Sequence, residues 1–105
     1  MTQIRILFVC LGNICRSPAA EGVFLKLASD AGVAEHFTVD SAGTGAWHEG
    51  ERADARMRAA ATRRGVDLPS IARQVRRADF DRFDHIIAMD AENLRALRAI
   101  APDDV

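Results

Sequence analysis

The sequence predicts an α/β fold in which a parallel sheet is layered between helices. Two observations carry this. The run Ile4-Arg5-Ile6-Leu7-Phe8-Val9 is short, branched and almost continuously apolar, the pattern of a strand covered on both faces. Strand-like and helix-like runs then alternate three times along the chain, the order that a parallel sheet with helical crossovers produces. Right-handed crossovers leave few arrangements of three such strands. The 105 residues make one domain, residues 1–105, with no repeat, linker or low-complexity segment. A chain of this size buries roughly 60–70% of its unfolded surface, enough for one modest core.

The first helix is expected from Pro18 towards Ser29, with Ser17 as its cap and Pro18 in the first position, where a missing N–H costs nothing. Ala20, Val23, Phe24, Leu27 and Ala28 form its apolar stripe, and Gly32 ends it. Phe37-Thr38-Val39-Asp40 alternates as a second strand, running into the turn-rich Ser41-Ala42-Gly43-Thr44-Gly45, with Trp47 in the loop beyond. A second helix is expected over about Asp54 to Arg64, turning Met57, Ala60 and Ala61 inward and stopped by Gly65. Pro69 interrupts the segment from Val66 to Asp84. A structureless connection of that length is unusual, so short helices are expected there, one of them around Asp79, Phe80 and Phe83. His85-Ile86-Ile87-Ala88-Met89 is the third strand. Asp90 then caps a last helix with Leu94, Leu97 and Ala101 on one face, until Pro102.

The composition narrows the function. A net charge of -1 gives no argument for nucleic acid or for a membrane surface, and neither is expected as a partner. No stretch approaches the ~20 apolar residues of a membrane span, and the run after Met1 lacks a secretory cleavage pattern. Two cysteines without an export signal point to a reducing, cytoplasmic setting. His36, His48 and His85 are too dispersed to form a metal site with them and read as surface or loop residues; no metal and no cofactor are expected.

The chemistry lies in Cys10-Leu11-Gly12-Asn13-Ile14-Cys15-Arg16-Ser17-Pro18, between the first strand and the first helix. A phosphate monoester is a dianion, and consecutive loop N–H groups beside a helix N-terminus form a site for one. Residues Leu11 to Arg16 supply that loop, Gly12 allows its sharp turn, and Arg16 offers a planar fork for two phosphate oxygens. The same field favours the thiolate of a cysteine at its centre, which makes Cys10 the candidate nucleophile. Ser17 is placed to donate a hydrogen bond to the sulfur when it leaves, and Asn13 to brace the loop. A lone cysteine at a strand end is otherwise a small buried hydrophobe. Cys15 admits two readings, a buried structural thiol or a redox partner of Cys10.

The string C-L-G-N-I-C-R-S-P near the N-terminus resembles the phosphate loop of the low-molecular-weight protein tyrosine phosphatases. Ser17-Pro18-Ala19-Ala20-Glu21, Asp40-Ser41-Ala42-Gly43, Arg73-Gln74-Val75 and Met89-Asp90-x-x-Asn93 are similar to further landmarks of that family, in order. The resemblance implies a three-layer α/β fold with a parallel sheet in the flavodoxin-like order 2-1-3-4, and the loop at its switch point. It implies a hydrolase acting on phosphotyrosine in a protein or peptide through a phosphocysteine. Cys10 would be the nucleophile and Arg16 the phosphate clamp, with Asn13, Ser17 and Ser41 as loop braces. Trp47 would flank the substrate ring; packing of the indole on the core is the other reading. It also implies a reversible Cys10–Cys15 disulfide. Ile14 favours an aryl phosphate over phosphoarginine, and the count of two cysteines disfavours an arsenate reductase. A module that grips phosphate-like anions without turnover is the competing reading from another class.

Against the family pattern, a fourth strand, an Asp-Pro-Tyr-Tyr loop with the general acid, and a last helix are missing before Val105. Asp103 and Asp104 come too early to be that acid. The chain is therefore expected to be incomplete at its C-terminus and slow on phosphotyrosine, since general acid catalysis is typically worth about 10²–10⁴-fold. The third strand, Ile86 to Met89, is expected to be an apolar sheet edge and a site of self-association.

Overall fold

A computed structural model describes residues 3–102. Asp103 and Asp104 lie outside the described residues. Strand β1 (Ile4–Cys10) is the centre of a three-stranded sheet, with β2 (Phe37–Gly43) on one side and β3 (His85–Ala88) on the other, both parallel to it. The order 2-1-3 is the one the family resemblance implied. Helices α1 (Arg16–Asp30), α2 (Ala55–Arg63), α3 (Asp79–Arg82) and α4 (Ala91–Ile100) surround it, with a single 3₁₀ turn at Ala34–His36.

The central strand is buried from Ile6 to Cys10 because both faces are covered. On one face Phe8 packs at 6.1 Å from the ring of Phe24 in α1, and Phe24 meets Phe37 edge-on at 4.9 Å. On the other, Leu7 and Val9 join Ala42, Val75 and Leu97, with Phe80, Phe83, Ile86 and Ala88 packed around them. A second cluster of Ala53, Val66 and Leu68 takes Met57 and Ala61 from α2.

Several elements depart from the sequence expectation. Helix α1 begins two residues earlier, at Arg16, with Cys15 in the cap position and no side-chain cap. Ser17 is therefore no cap: it lies inside the first turn, buried, with its hydroxyl turned to Cys10. Pro18 remains harmless there, because the first four helical N–H groups have no intrahelical partner. The apolar stripe also shifts. Val23 is 45% and Leu27 64% exposed, while Gly22 packs so tightly on Leu68 and the Asp67 carbonyl that a Cβ would collide with both. Close backbone approach, more than side-chain bulk, seats this helix. Strand β2 continues through Ser41-Ala42-Gly43, because the ladder with β1 runs on to the Cys10–Gly43 pair and overrides the local turn signal. Between Val66 and Asp84 a single four-residue helix forms; Ile71 and Gln74 make isolated bridges with Arg52 and Gly43. In α4, Leu97 and Asn93 face inward and Leu94 is 40% exposed. Strand β3 ends the sheet among the described residues, with Ile87 40% exposed.

Candidate active site

The carboxyl end of β1 delivers Cys10, and α1 starts at Arg16, so residues 11–15 close a tight loop over a helix N-terminus. Cys10 is 3% exposed. Its Sγ lies 3.0 Å from Ser17 Oγ and accepts the Asn13 backbone N–H at 3.3 Å. Asn13 is the one non-glycine among the described residues with positive φ, at 56°. Its side chain is consumed in holding that shape. Nδ2 donates to Ser17 Oγ at 2.8 Å, and Oδ1 accepts from the Arg73 backbone N–H at 3.0 Å. Because Ser17 Oγ already accepts from Asn13, its own proton is free for Cys10 Sγ or for the longer contact to the Ala42 carbonyl, 3.4 Å.

The loop's acceptors are spent outward. Thr44 N–H donates to the Cys10 carbonyl, Gly45 N–H to that of Leu11 and Asp54 N–H to that of Ile14, at 2.9, 2.9 and 2.7 Å. An arrangement that commits carbonyls outward leaves donors for an anion. Gly43 is required beneath it: a Cβ there would stand 2.8 Å from the Leu11 carbonyl oxygen and 3.1 Å from the Asn13 nitrogen.

A cavity of about 240 Å³ opens above Cys10, lined by Leu11, Gly12, Ile14, Cys15, Arg16, Trp47 and His48. Trp47 is 71% exposed, its ring lying against Gly45, so it stands beside the cleft and not on the core. Ile14 and Cys15 are half-buried walls, and Cys10 and Cys15 are both free thiols. Burial, then Asp54, pushes the Cys15 thiol up, with Cys10 adding to the effect and Arg16 opposing it. Arg16 is half-exposed and donates from Nη1 to Asp90 Oδ2 at 2.6 Å. That hydrogen bond, with the Asn93 N–H behind it, holds the Asp90 carboxyl below its usual range.

Ser41 stands apart from the loop. It is buried in β2, and its hydroxyl donates to Glu21 Oε1 at 2.6 Å, tying β2 to α1 without touching Asn13. Among the described residues no group of three or more His, Cys, Asp or Glu side chains is spaced to hold a metal ion, and no helix is long and apolar enough to cross a membrane.

Three participants were not legible as such in the sequence. His48, read as a surface or loop residue, lies over the loop: a Cβ on Gly12 would be 3.0 Å from its Cδ2, and its Nδ1 is 2.9 Å from Glu51 Oε2. Its neighbour Trp47 was the available signal. Asp90, expected as a helix cap within a stretch resembling a family landmark, also holds Arg16. Arg73 reaches the loop through its backbone, which no side-chain pattern announces.

The family model for low molecular weight phosphotyrosine protein phosphatase matches residues 5–105. The low molecular weight protein-tyrosine-phosphatase of Streptomyces coelicolor is 51% identical over 100 residues, covering 95% of this chain and 61% of its own length. The low molecular weight phosphotyrosine protein phosphatase of Schizosaccharomyces pombe is 48% identical over 101 residues, covering 95% and 65%. A crystal structure of the protein tyrosine phosphatase from Entamoeba histolytica, with Hepes in the active site, superposes with a TM-score of 0.94 at 47% identity. It covers 97% of this chain and 65% of that one. The chain thus spans about three fifths of the length of the relatives it matches.

Proposed function

This chain belongs to the low molecular weight phosphotyrosine protein phosphatase family, and we propose that its cradle hydrolyses phosphotyrosine in proteins through a phosphocysteine intermediate. The observation that supports this most directly is the place of Cys10 Sγ, in the loop floor between Ser17 Oγ and the Asn13 N–H. The Asn13 N–H donates to sulfur, and Ser17 Oγ, already an acceptor from Asn13 Nδ2, has its own proton free at 3.0 Å from it.

In the first step Cys10 Sγ attacks phosphorus while the bond to the phenol oxygen breaks, and that oxygen leaves with the bonding pair and takes up a proton from solvent. Loop N–H groups and the Arg16 guanidinium hold the three other oxygens as charge redistributes. In the second step water attacks phosphorus, inorganic phosphate forms, and sulfur departs as thiolate towards the Ser17 hydroxyl. Asp90 is committed to Arg16 and to capping α4, so it is not the acid that protonates the phenol. A leaving group that departs unprotonated is therefore the better substrate for these residues. Trp47 and Ile14 supply apolar walls to the cavity, a lining suited to an aryl ring. The two thiols lining one cavity also support an oxidised state with a Cys10–Cys15 disulfide.

The test is a burst assay with 4-nitrophenyl phosphate. Nitrophenol release that disappears in Cys10→Ser, with phosphate binding retained, supports the enzyme. Binding without release in the wild type supports an anion-binding module instead, and release that persists in Cys10→Ser overturns Cys10 as nucleophile.

A further inference from the structure

Asp79 is the most buried carboxylate among the described residues, 1% exposed, and it stands outside the cradle on the short α3. Its two oxygens receive the Arg73 fork, Nη2 to Oδ1 at 3.1 Å and Nη1 to Oδ2 at 3.0 Å, and Oδ2 also accepts the Arg76 N–H at 2.8 Å. Burial alone would push this carboxyl up. The Arg73 and Arg76 hydrogen bonds outweigh it and hold the group below its usual range. The other edge of the same guanidinium meets Asp40 of β2, Nε and Nη2 lying 3.3 and 3.2 Å from Oδ2. Arg73 is thus clamped between two carboxylates from two elements. Its main chain faces the cradle: N–H to Asn13 Oδ1 at 3.0 Å, and the carbonyl accepting the Gly43 N–H at 2.8 Å.

We infer that Asp79 is a positioning residue for phosphate binding, acting through Arg73 on the strained Asn13. A buried ion pair is weak grounds for a stability role, because well-packed apolar groups stabilise as well or better. What the clamp adds is a fixed origin for one N–H. Asn13 holds φ 56° only while its Oδ1 has that donor and its Nδ2 has Ser17, and the same residue gives its own N–H to Cys10 Sγ. Loosening Arg73 therefore releases the loop that must match phosphate oxygens, and sub-ångström placement is what such a site depends on.

The inference rests on the proposed function in that it needs a cradle that binds phosphate, and the experiment separates the two. Phosphate affinity is read from the fluorescence of Trp47, the single tryptophan, well below each variant's melting temperature. Asp79→Asn is expected to weaken phosphate binding about tenfold while the folded protein is retained. Val66→Ala, which trims the second core cluster, is the control for lost stability and is expected to leave the affinity unchanged. If Asp79→Asn does not fold, Arg73→Lys replaces it: the charge stays, the fork is lost, and the same tenfold loss is expected. Wild-type affinity in the folded variant, or an equal loss in Val66→Ala, overturns the inference alone. A wild-type protein that binds no phosphate overturns the functional reading, and the inference with it.

Discussion

Asp90 divides its carboxylate between two tasks: Oδ2 accepts from Arg16 Nη1 at 2.6 Å, and Oδ1 accepts from the Asn93 N–H at 2.8 Å, capping α4. Arg16, at the start of one helix, is thereby tethered to the first turn of another, 74 residues away in sequence. The pair is half-exposed, so screening makes it a minor contributor to stability. Its contribution is to where the guanidinium stands.

The two tasks separate by substitution. Asp90→Ser keeps an oxygen that caps the helix and removes the charge; Asp90→Ala removes both. Loss of a cap lowers melting by roughly 4–8 °C in a domain of this size. Asp90→Ala should show that drop and Asp90→Ser little of it, while both weaken phosphate binding to the same degree. Calorimetry and a phosphate titration on the two variants check this. Unchanged affinity in Asp90→Ser would remove Asp90 from the positioning of Arg16.

Asn13 also carries two loads, a left-handed backbone and a bracing side chain. Asn13→Ala leaves the Arg73 N–H without its acceptor, a cost of about 1–3 kcal/mol for a buried donor, and places a Cβ residue at φ 56°. Asn13→Gly has the same orphan but tolerates that φ. Urea unfolding should therefore rank Asn13→Ala below Asn13→Gly by up to about 1 kcal/mol. Both should lose most of the phosphate affinity, because neither braces Ser17. An Asn13→Gly protein with wild-type affinity would show that the backbone shape alone sustains the cradle.

Much of this site was legible because its parts are contiguous. Residues 10 to 18 announce a thiol, a turn and a helix start in order, and the structure keeps Cys10, Asn13, Arg16 and Ser17 together. Ser17 misled only in its local role, because a serine at a helix start reads as a cap until a sulfur at 3.0 Å competes for it. The illegible part is what arrives from far along the chain. Asp90 reads locally as a cap and Asp79 as part of a short helix, and the family resemblance marks the stretches around Arg73 and Asp90 without saying what either residue holds. Their pairing with the cradle, or with one another, depends on β2 and β3 flanking β1. The same is true of α1: its apolar periodicity was visible, but Gly22 seated against Leu68 decides which face turns inward.

Glu21 is half-buried behind the cradle, with Oε1 accepting from the Ser41 hydroxyl at 2.6 Å. Burial pushes its carboxyl up, and Asp40 adds to this, while Ser41, Ser70 and Arg73 pull the other way without cancelling it. The folded pKa thus lies above the unfolded one, so folding favours the protonated form. That contribution is present in full below the unfolded value and is lost as pH rises through the raised folded value. Glu21→Gln keeps an oxygen for Ser41 and never ionises. The melting temperature of Glu21→Gln relative to wild type should accordingly rise between about pH 4 and pH 7, by an amount on the order of a few degrees. Asp79 titrates with the opposite sign, its stabilisation fading in acid, but it is common to both proteins and drops out of the difference. A difference that stays flat, or falls towards neutral pH, would mean that Glu21 is charged without penalty between α1 and β2.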